Sequence, residues 1–252
     1  MEQPPLSTRP TRETVPSIDD RSTGAVVWHR TDLRIADNPA LAAAAGGSGA
    51  TDCRILPLFV FDPAFYGDDG AACDARIEFL HECLRDLDRQ YRDVGGAGLT
   101  YAHGDPIAVL ERFGDAGWEV YAQGAPSGRY GVARDERARE AVGVEFVGGD
   151  GLVRDEAYPR REWGDRVEAW LTDDPVDWDP REVRLDRIET GIDPGRIAEA
   201  YDVVPEKTDV PTGGRSIARD GLESFVSRLG AYPDNISSPV DAREGTSGLS
   251  PY

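Results

Sequence analysis

Residues 24–150 predict an α/β fold, an open five-stranded parallel sheet with helices on both faces in a Rossmann-like arrangement. Three observations carry that prediction. Short β-rich apolar runs alternate with amphipathic segments about five times. Two of the loops that follow these runs contain Asn38-Pro39 or Asp105-Pro106, a capping side chain followed by a proline suited to the first helical position. The first two runs, at 25–29 and 55–61, are apolar enough throughout to be buried strands joined by right-handed crossovers.

In chain order, AVVWH at 25–29 is the first strand, and Asp37-Asn38-Pro39 starts a helix over ALAAAA that Gly46-Gly47 stop. ILPLFVF at 55–61 is the second strand. Its Pro57 points to an edge position or a bulge, because proline donates no ladder hydrogen bond. The helix over 74–94 is the strongest, with Ile77, Leu80, Leu84, Leu87, Tyr91 and Val94 recurring at steps of three and four, so one face packs on the sheet. A third strand over 99–102 leads through Gly104-Asp105-Pro106 into a helix carrying Ile107, Val109, Leu110 and Phe113. Strands at 118–122 and 144–147 flank a charged helix over 134–142. Sheets of this kind bind ligands at the carboxyl ends of their strands, so the loops at 30–38, 62–76, 103–105 and 123–131 are where function is expected.

Beyond residue 150 the pattern loosens. Residues 158–171 predict a helix, 172–210 are rich in Asp, Pro and Arg and read as an irregular connector, and a helix resumes over 212–229 behind Gly213-Gly214. Residues 232–252 are turn-rich. The expected organisation is a disordered tail over 1–23, an α/β domain over 24–150, a connector over 151–211 and the incomplete start of a helical domain over 212–252.

The 252 residues include 28 Lys+Arg and 47 Asp+Glu, a formal charge of −19, and Lys207 is the only lysine. A surface poor in lysine and rich in carboxylates suits molar salt, where screening over about 3 Å removes self-repulsion. A halophile's cytoplasm is the expected setting; a GC-rich genome that replaces Lys by Arg would leave the same lysine count. Such a surface grips nucleic-acid phosphates poorly. The longest apolar run is far below the roughly 20 residues of a membrane span, and the N-terminal tract lacks the apolar centre of a secretory signal, so neither membrane nor export is expected. Cys53, Cys73 and Cys83 are an odd set that predicts no disulfide framework. Cys73, His81 and Cys83 match no common zinc spacing, and no metal is expected. Phosphate-loop, G-x-G-x-x-G and G-x-S-x-G motifs are absent from the sequence, which argues against those enzyme classes.

The first loop is the most informative segment. Trp28-His29-Arg30-Thr31-Asp32-Leu33-Arg34, followed by Asp37-Asn38-Pro39-Ala40-Leu41, places two Arg, two Asp and one Asn at the end of the first strand. Charge by charge, this is an Arg/Asp network that fixes a loop and caps a helix. As a string, R-x-D-L-R-x-x-D-N-P-A-L resembles the opening of the photolyase/cryptochrome family. The resemblance continues in order through Leu58 to Pro63, Arg76 with Phe79-Leu80, Gly104-Asp105-Pro106 and Arg134-Asp135-Glu136. It resumes with Gly213-Gly214, Leu222-Glu223-Ser224-Phe225, Tyr232 and Thr246-Ser247-Gly248-Leu249-Ser250-Pro251, whose T-S-x-L-S-P string is the most specific.

In that family the last element meets the diphosphate of FAD. The resemblance therefore implies Thr246, Ser247, Gly248, Leu249 and Ser250 as FAD contacts, with Tyr232 as an aromatic earlier in the same site. Read without the family, small hydroxyl residues beside a glycine form either a phosphate nest or an ordinary helix cap. The family's α/β domain often holds an antenna, either folate or 8-hydroxydeazaflavin. Phe59, Asp62 and Arg76 match positions lining the deazaflavin site in some relatives: a ring to stack, a carboxylate and a guanidinium. The same residues also suit a core strand position and a local ion pair of Arg76 with Asp74 or Glu78. The loop at 123–128 carries small neutral residues where relatives carry Asn and acidic ones, and 158–171 departs from the family's T-P-F-x-x-x-W stretch. The family's electron-relay tryptophans belong to its later domain, so Trp28, Trp118, Trp163, Trp170 and Trp178 read as core or domain-contact residues.

The resemblance implies that a full-length form is a light-driven, FAD-dependent enzyme splitting cyclobutane pyrimidine dimers in UV-damaged DNA. It also implies that this chain lacks most of the FAD domain, is inactive alone, binds DNA weakly or not at all, and is completed by further sequence or a separate C-terminal half. Two rivals remain: a non-catalytic chromophore- or partner-binding module such as a cryptochrome-like light sensor, and an unrelated nucleotide-binding domain.

Overall fold

A computed structural model describes residues 17–18, 23–47, 53–67, 69–124, 128–149, 162–207, 210–232 and 247. The first strand, β1 (Ala25–His29), is buried at every position and lies at the middle of a parallel sheet. Around it follow α1 (Pro39–Gly47), β2 (Cys53–Phe61), α2 (Asp74–Asp93), β3 (Thr100–His103), α3 (Pro106–Asp115), β4 (Glu119–Gly124), α4 (Arg129–Val142) and β5 (Glu145–Gly149). The strand order is β3-β2-β1-β4-β5, with Ala25 opposite Ile55 on one side and Glu119 on the other. The chain thus moves outward from β1 to β3 and then returns to the far side of β1. That reversal leaves a crevice between β1 and β4 at their carboxyl ends.

Because successive side chains on a strand point to opposite faces, the sheet divides its residues between two cores. Val26, Trp28, Leu56, Leu58, Val60, Ala102 and Val120 pack against Ile107, Leu110 and Phe113 of α3 and Ala138 of α4. Ala25, Val27, Ile55, Phe59, Phe61 and Tyr121 pack against Leu41 and Ala44 of α1 and Ile77, Leu84, Leu87 and Tyr91 of α2. Each fully buried large side chain contributes about 1.5–3 kcal/mol of transfer free energy, so both faces are needed to hold the sheet. The caps lie where the sequence places them: Asn38 Oδ1 accepts from Leu41 N at 3.1 Å, and the Asp105 side chain accepts from Ile107 N at 3.0 Å.

The sheet has six strands rather than five. Within the stretch read as an irregular connector lie β6 (Val183–Leu185) and, after it, α6 (Pro194–Ala200). β6 pairs with Cys53 to Ile55 on the edge of β2 that β3 occupies further along, because β1 holds the other edge. The Arg54 guanidinium bonded to Asp186 at 2.6 Å fastens this strand. A strand of three residues, Val-Arg-Leu, has too short an alternation to show in sequence. α6 was more legible: Asp193-Pro194 repeats the start signal of α3, and the Asp193 side chain accepts from Arg196 N at 2.9 Å.

Pro57 corrects another expectation, since β2 is neither an edge strand nor bulged there. The carbonyls of Ile55 and Phe61 accept from Asp186 N and Gly104 N on the β3/β6 side, so by alternation the Pro57 nitrogen faces that side too. It falls in the gap between β6, which ends opposite Ile55, and β3, which begins opposite Leu58. No ladder donor is required there.

α4 begins at Arg129, five residues before the predicted start, because buried Gly131 is accommodated inside the helix instead of breaking it. α5 (Trp163–Thr172) buries no residue. The final helix, α7 (Arg215–Val226), is followed by a 3₁₀ turn over Leu229–Ala231. Trp28 and Trp118 are core residues, and Trp178 donates its Nε1–H to the Ile35 carbonyl at 2.7 Å. Trp170 is half exposed on α5.

Candidate functional site at the carboxyl ends of the strands

The crevice is built by the first loop. Val27, Trp28, His29, Arg30, Thr31, Asp32, Asn38, Ala40 and Gln123 line a recess of about 10 Å³, room for one water-sized group. The Arg30 guanidinium lies 5.1 Å from the centre of the Trp28 ring and 5.0 Å from that of Phe146. Its Nη1 donates to both Asp135 oxygens at 2.5 and 2.6 Å, and its Nη2 donates to the Gln123 carbonyl. Arg134 joins the same carboxylate at 3.0 Å and spreads over Trp28 at 5.2 Å and Tyr130 at 5.9 Å. Alternating rings and guanidiniums thus tie α4 to β1 and β5, each contact adding to a desolvated ion pair.

Behind the loop, His29 Nδ1 lies 3.0 Å from the Asp32 carbonyl and Nε2 lies 2.6 Å from Tyr91 Oη. A carbonyl only accepts, so Nδ1 carries the proton and Nε2 accepts from the tyrosine. Burial lowers the His29 pKa to about 4, against a smaller opposing effect of the Asp32 carbonyl. The imidazole is neutral at physiological pH and holds the loop in place; full burial removes it from exchange with a substrate.

A second group occupies the ends of β2 and β3. Tyr66 Oη lies 3.1 Å from His81 Nε2, their rings stack at 5.9 Å, and the Tyr201 ring is 5.0 Å from Tyr66. His103 Nε2 lies 2.7 Å from Tyr201 Oη. Burial, aided by the neighbouring Arg85 charge, lowers the His81 pKa to about 4, and burial raises that of Tyr66 far above the ordinary phenol range. The group is uncharged, aromatic and hydrogen-bonded. With its imidazoles neutral and its phenols protonated, this group is poorly suited to acid–base work near neutral pH.

The residues singled out in sequence land in three different settings. Phe59 is only 7% exposed and lies edge-on to Phe61 at 5.1 Å inside the core. Asp62 stands at the end of β2, accepts from Ala64 N at 2.9 Å and from the Tyr130 hydroxyl, and has its pKa raised, first by burial and also by nearby Asp105. Arg76 is exposed on the first turn of α2, and among the described residues no hydrogen bond or ion pair joins it to Phe59, Asp62, Asp74 or Glu78. Tyr232 follows the last 3₁₀ turn, edge-on to Phe225 at 5.7 Å. Ser247 is partly buried, while Thr246, Gly248, Leu249 and Ser250 lie outside the described residues. The sequence reading missed Tyr130, Gln123 and the pairing of Asp135 with Arg30, although the loop at 123–131 was marked for its position at a strand end. Among the described residues, no cluster of His, Cys, Asp and Glu is placed to hold a metal, and no helix is long and apolar enough to cross a membrane.

A doubly wound sheet with its reversal beside an arginine-rich loop places this chain among the open-sheet α/β domains. Comparison with known proteins makes this specific: the DNA photolyase family profile matches residues 25–152, half of the chain, and the chain belongs to the photolyase/cryptochrome family. The deoxyribodipyrimidine photo-lyase of Halobacterium salinarum is 28% identical over 251 residues, covering 89% of this chain and 50% of the relative. That of Synechococcus sp. is 38% identical over 255 residues, covering 89% and 49%. Among solved structures, a bacterial class III photolyase from Agrobacterium tumefaciens aligns with a TM-score of 0.64 at 22% identity, covering 93% of this chain and 50% of that one. A Synechocystis cryptochrome aligns at 0.67 and 17% identity, covering 91% and 52%. These structural likenesses establish a shared fold, and the chain spans about half the length of the photolyases it matches.

Proposed function

We propose that this chain is the α/β half of a light-driven, FAD-dependent photolyase that splits cyclobutane pyrimidine dimers in UV-damaged DNA, and that its own task is to hold a light-harvesting chromophore at the strand ends. The observation that carries the reading is the pair of relatives named deoxyribodipyrimidine photo-lyase, each matched over 89% of this chain. An archaeal photolyase from Sulfolobus tokodaii, described with two FAD molecules and a novel light-harvesting cofactor, shares the fold with a TM-score of 0.61. Phe59, Asp62 and Arg76 are the candidate residues for a folate or 8-hydroxydeazaflavin; of these Asp62, at the end of β2 with its pKa raised by burial, supports the reading best.

Bound FAD, excited in its reduced state, supplies the electron that opens the dimer. Tyr232 and residues 246–250 are the residues of this chain that would hold it, small hydroxyl residues beside a glycine being chemically suited to a diphosphate. The strongly acidic composition supports the reading that another part of the active protein, either further sequence or a separate C-terminal half, holds DNA, and is in keeping with the cytoplasm of a halophile.

Blue-light repair of a dimer-containing oligonucleotide tests this, with the native protein and with the 252-residue chain plus FAD. Repair by a native protein of mass well above 27.4 kDa, and none by the chain alone, is the expected result. Repair by the chain alone would overturn the division of labour. A cryptochrome-like sensor is the second reading, favoured by 38% identity over 89 residues to Cryptochrome-1 of Aedes aegypti; a native flavoprotein that absorbs light yet repairs nothing would select it.

A further inference from the structure

We propose that the outer face of α7, continued by the turn after it, is a docking surface, and that its occupant is the C-terminal half of the protein, which meets it with an apolar surface edged by carboxylates. The proposal rests on the reading of this chain as the α/β half of a photolyase and adds where the two halves meet.

The first argument is the pattern of α7. Ile217, Gly221 and Phe225 form one row of residues four apart, and Ala218, Leu222 and Val226 form the row beside it, so together they make one side of the helix apolar. Such a face stabilises a helix only when it packs on something. No residue of α7 is buried, and its start is what fastens it, Ser216 donating to Asp86 and Gly213 N to Glu82. Leu222 and Val226 stand 45% and 58% exposed, and Leu229 in the following turn 52%.

The second argument is where this exposure falls. Among the described residues, Tyr130 and Val132 are the exposed large apolar side chains within 25–152, the stretch the family profile matches, and the others lie beyond it, with the largest group at 217–232. The α/β domain covers its own two cores, and the apolar surplus stands on the elements that follow. Contiguous apolar surface of this kind marks an interaction site. The chain spans about half of each photo-lyase it matches, so those relatives carry about as much sequence again.

Charge chooses between that occupant and a second copy. Residues 211–232 carry Arg215, Arg219 and Arg228 against Asp220 and Glu223, a net +1 on a chain of −19. A two-fold dimer sets the same patch against itself, which brings three arginines from each copy together. An apolar surface edged by Asp and Glu is complementary instead.

Hydroxyl-radical footprinting in the dark compares the 252-residue chain with the native protein from its own cells, whose mass and subunits are measured on the same preparation. Leu222, Val226 and Leu229 should be oxidised readily in the chain. They should be oxidised about fivefold or more slowly in a native protein that is well above 27.4 kDa or holds a second polypeptide, as side chains at the dry centre of an interface are. Tyr232, proposed above to meet FAD, is left out of the readout. Oxidation in that larger native protein at the rate of the chain overturns the docking surface and leaves the photolyase reading standing. A native protein built from 27.4 kDa subunits alone defeats both: protection that appears only with dimer formation makes the occupant a second copy, and no protection leaves the face without one.

Discussion

Arg30 and Asp135, 105 positions apart, form an ion pair whose side chains are 6% and 9% exposed, with Arg30 Nη1 at 2.5 and 2.6 Å from the two carboxylate oxygens. Breaking such a pair strands a charge in low dielectric. Asp135→Ala should cost about 3–5 kcal/mol, whereas the double variant Arg30→Met/Asp135→Leu should recover most of it. Denaturant unfolding at fixed salt measures both, and equal losses in the single and double variants would show that the pair does not act as a unit.

Acid should weaken the fold early. Burial holds His29 and His81 near pKa 4, against 6.5 for an unperturbed imidazole. Between those values the unfolded chain binds protons that the native chain does not. Stability is therefore intact above pH about 6.5 and falls as pH drops toward about 4. For His29 alone the loss across that window is about 3 kcal/mol. Urea midpoints compared at pH about 7.5 and about 5 should differ, and His29→Gln should flatten the difference; a midpoint unmoved by pH would contradict this.

α7 buries none of its residues, so its attachment depends on its N-terminus. Asp86, 2% exposed on α2, accepts from the Ser216 amide and hydroxyl, and Gly213 N donates to Glu82 at 2.6 Å. Burial pushes the Asp86 pKa up, but hydrogen bonds from Ser216, Gln90 and Arg89 outweigh it, leaving the pKa below the ordinary value. A Cβ at Gly213 would meet the Phe79 carbonyl oxygen and come within 2.8 Å of Cys83 Sγ. Gly213→Ala should therefore detach α7 while the sheet stays folded. Limited proteolysis should show new cleavage within 210–232, and a wild-type digestion pattern would refute the latch.

Salt should stabilise the chain. With a net charge of −19, carboxylate repulsion is long-ranged in dilute buffer and confined to about 3 Å in 1 M salt. The thermal midpoint is expected to rise steadily from about 0.1 M to about 2 M KCl. A flat or falling midpoint would remove the basis for the halophile reading.

The legible parts of this protein were those whose signals are local. The strands at 25–29 and 55–61, the helix with Leu84 and Leu87 on one face, and the Asn38 and Asp105 caps each depend on residues a few positions apart. The order of the first-loop string likewise pointed to the family that the profile match then established. β6 was illegible because three residues cannot display an alternation, and Pro57 was misread because its tolerance depends on where two other strands end. Sequence marked the loops at 30–38 and 123–131 and Asp62, whose side chains the structure brings to one end of the sheet, but not Tyr130 as the partner of Asp62.

By itself, then, the sequence determined the alternation of strands and helices, the caps and the family, because backbone hydrogen bonding and side-chain periodicity act over short distances along the chain. The tertiary structure decided which strands are neighbours, and with that which distant side chains meet. His29 meets Tyr91, 62 positions away, because α2 packs on the sheet face to which Ala25 and Val27 also point, and Tyr130 meets Asp62, 68 away, because the reversal sets β4 beside β1. No spacing in the chain encodes that distance.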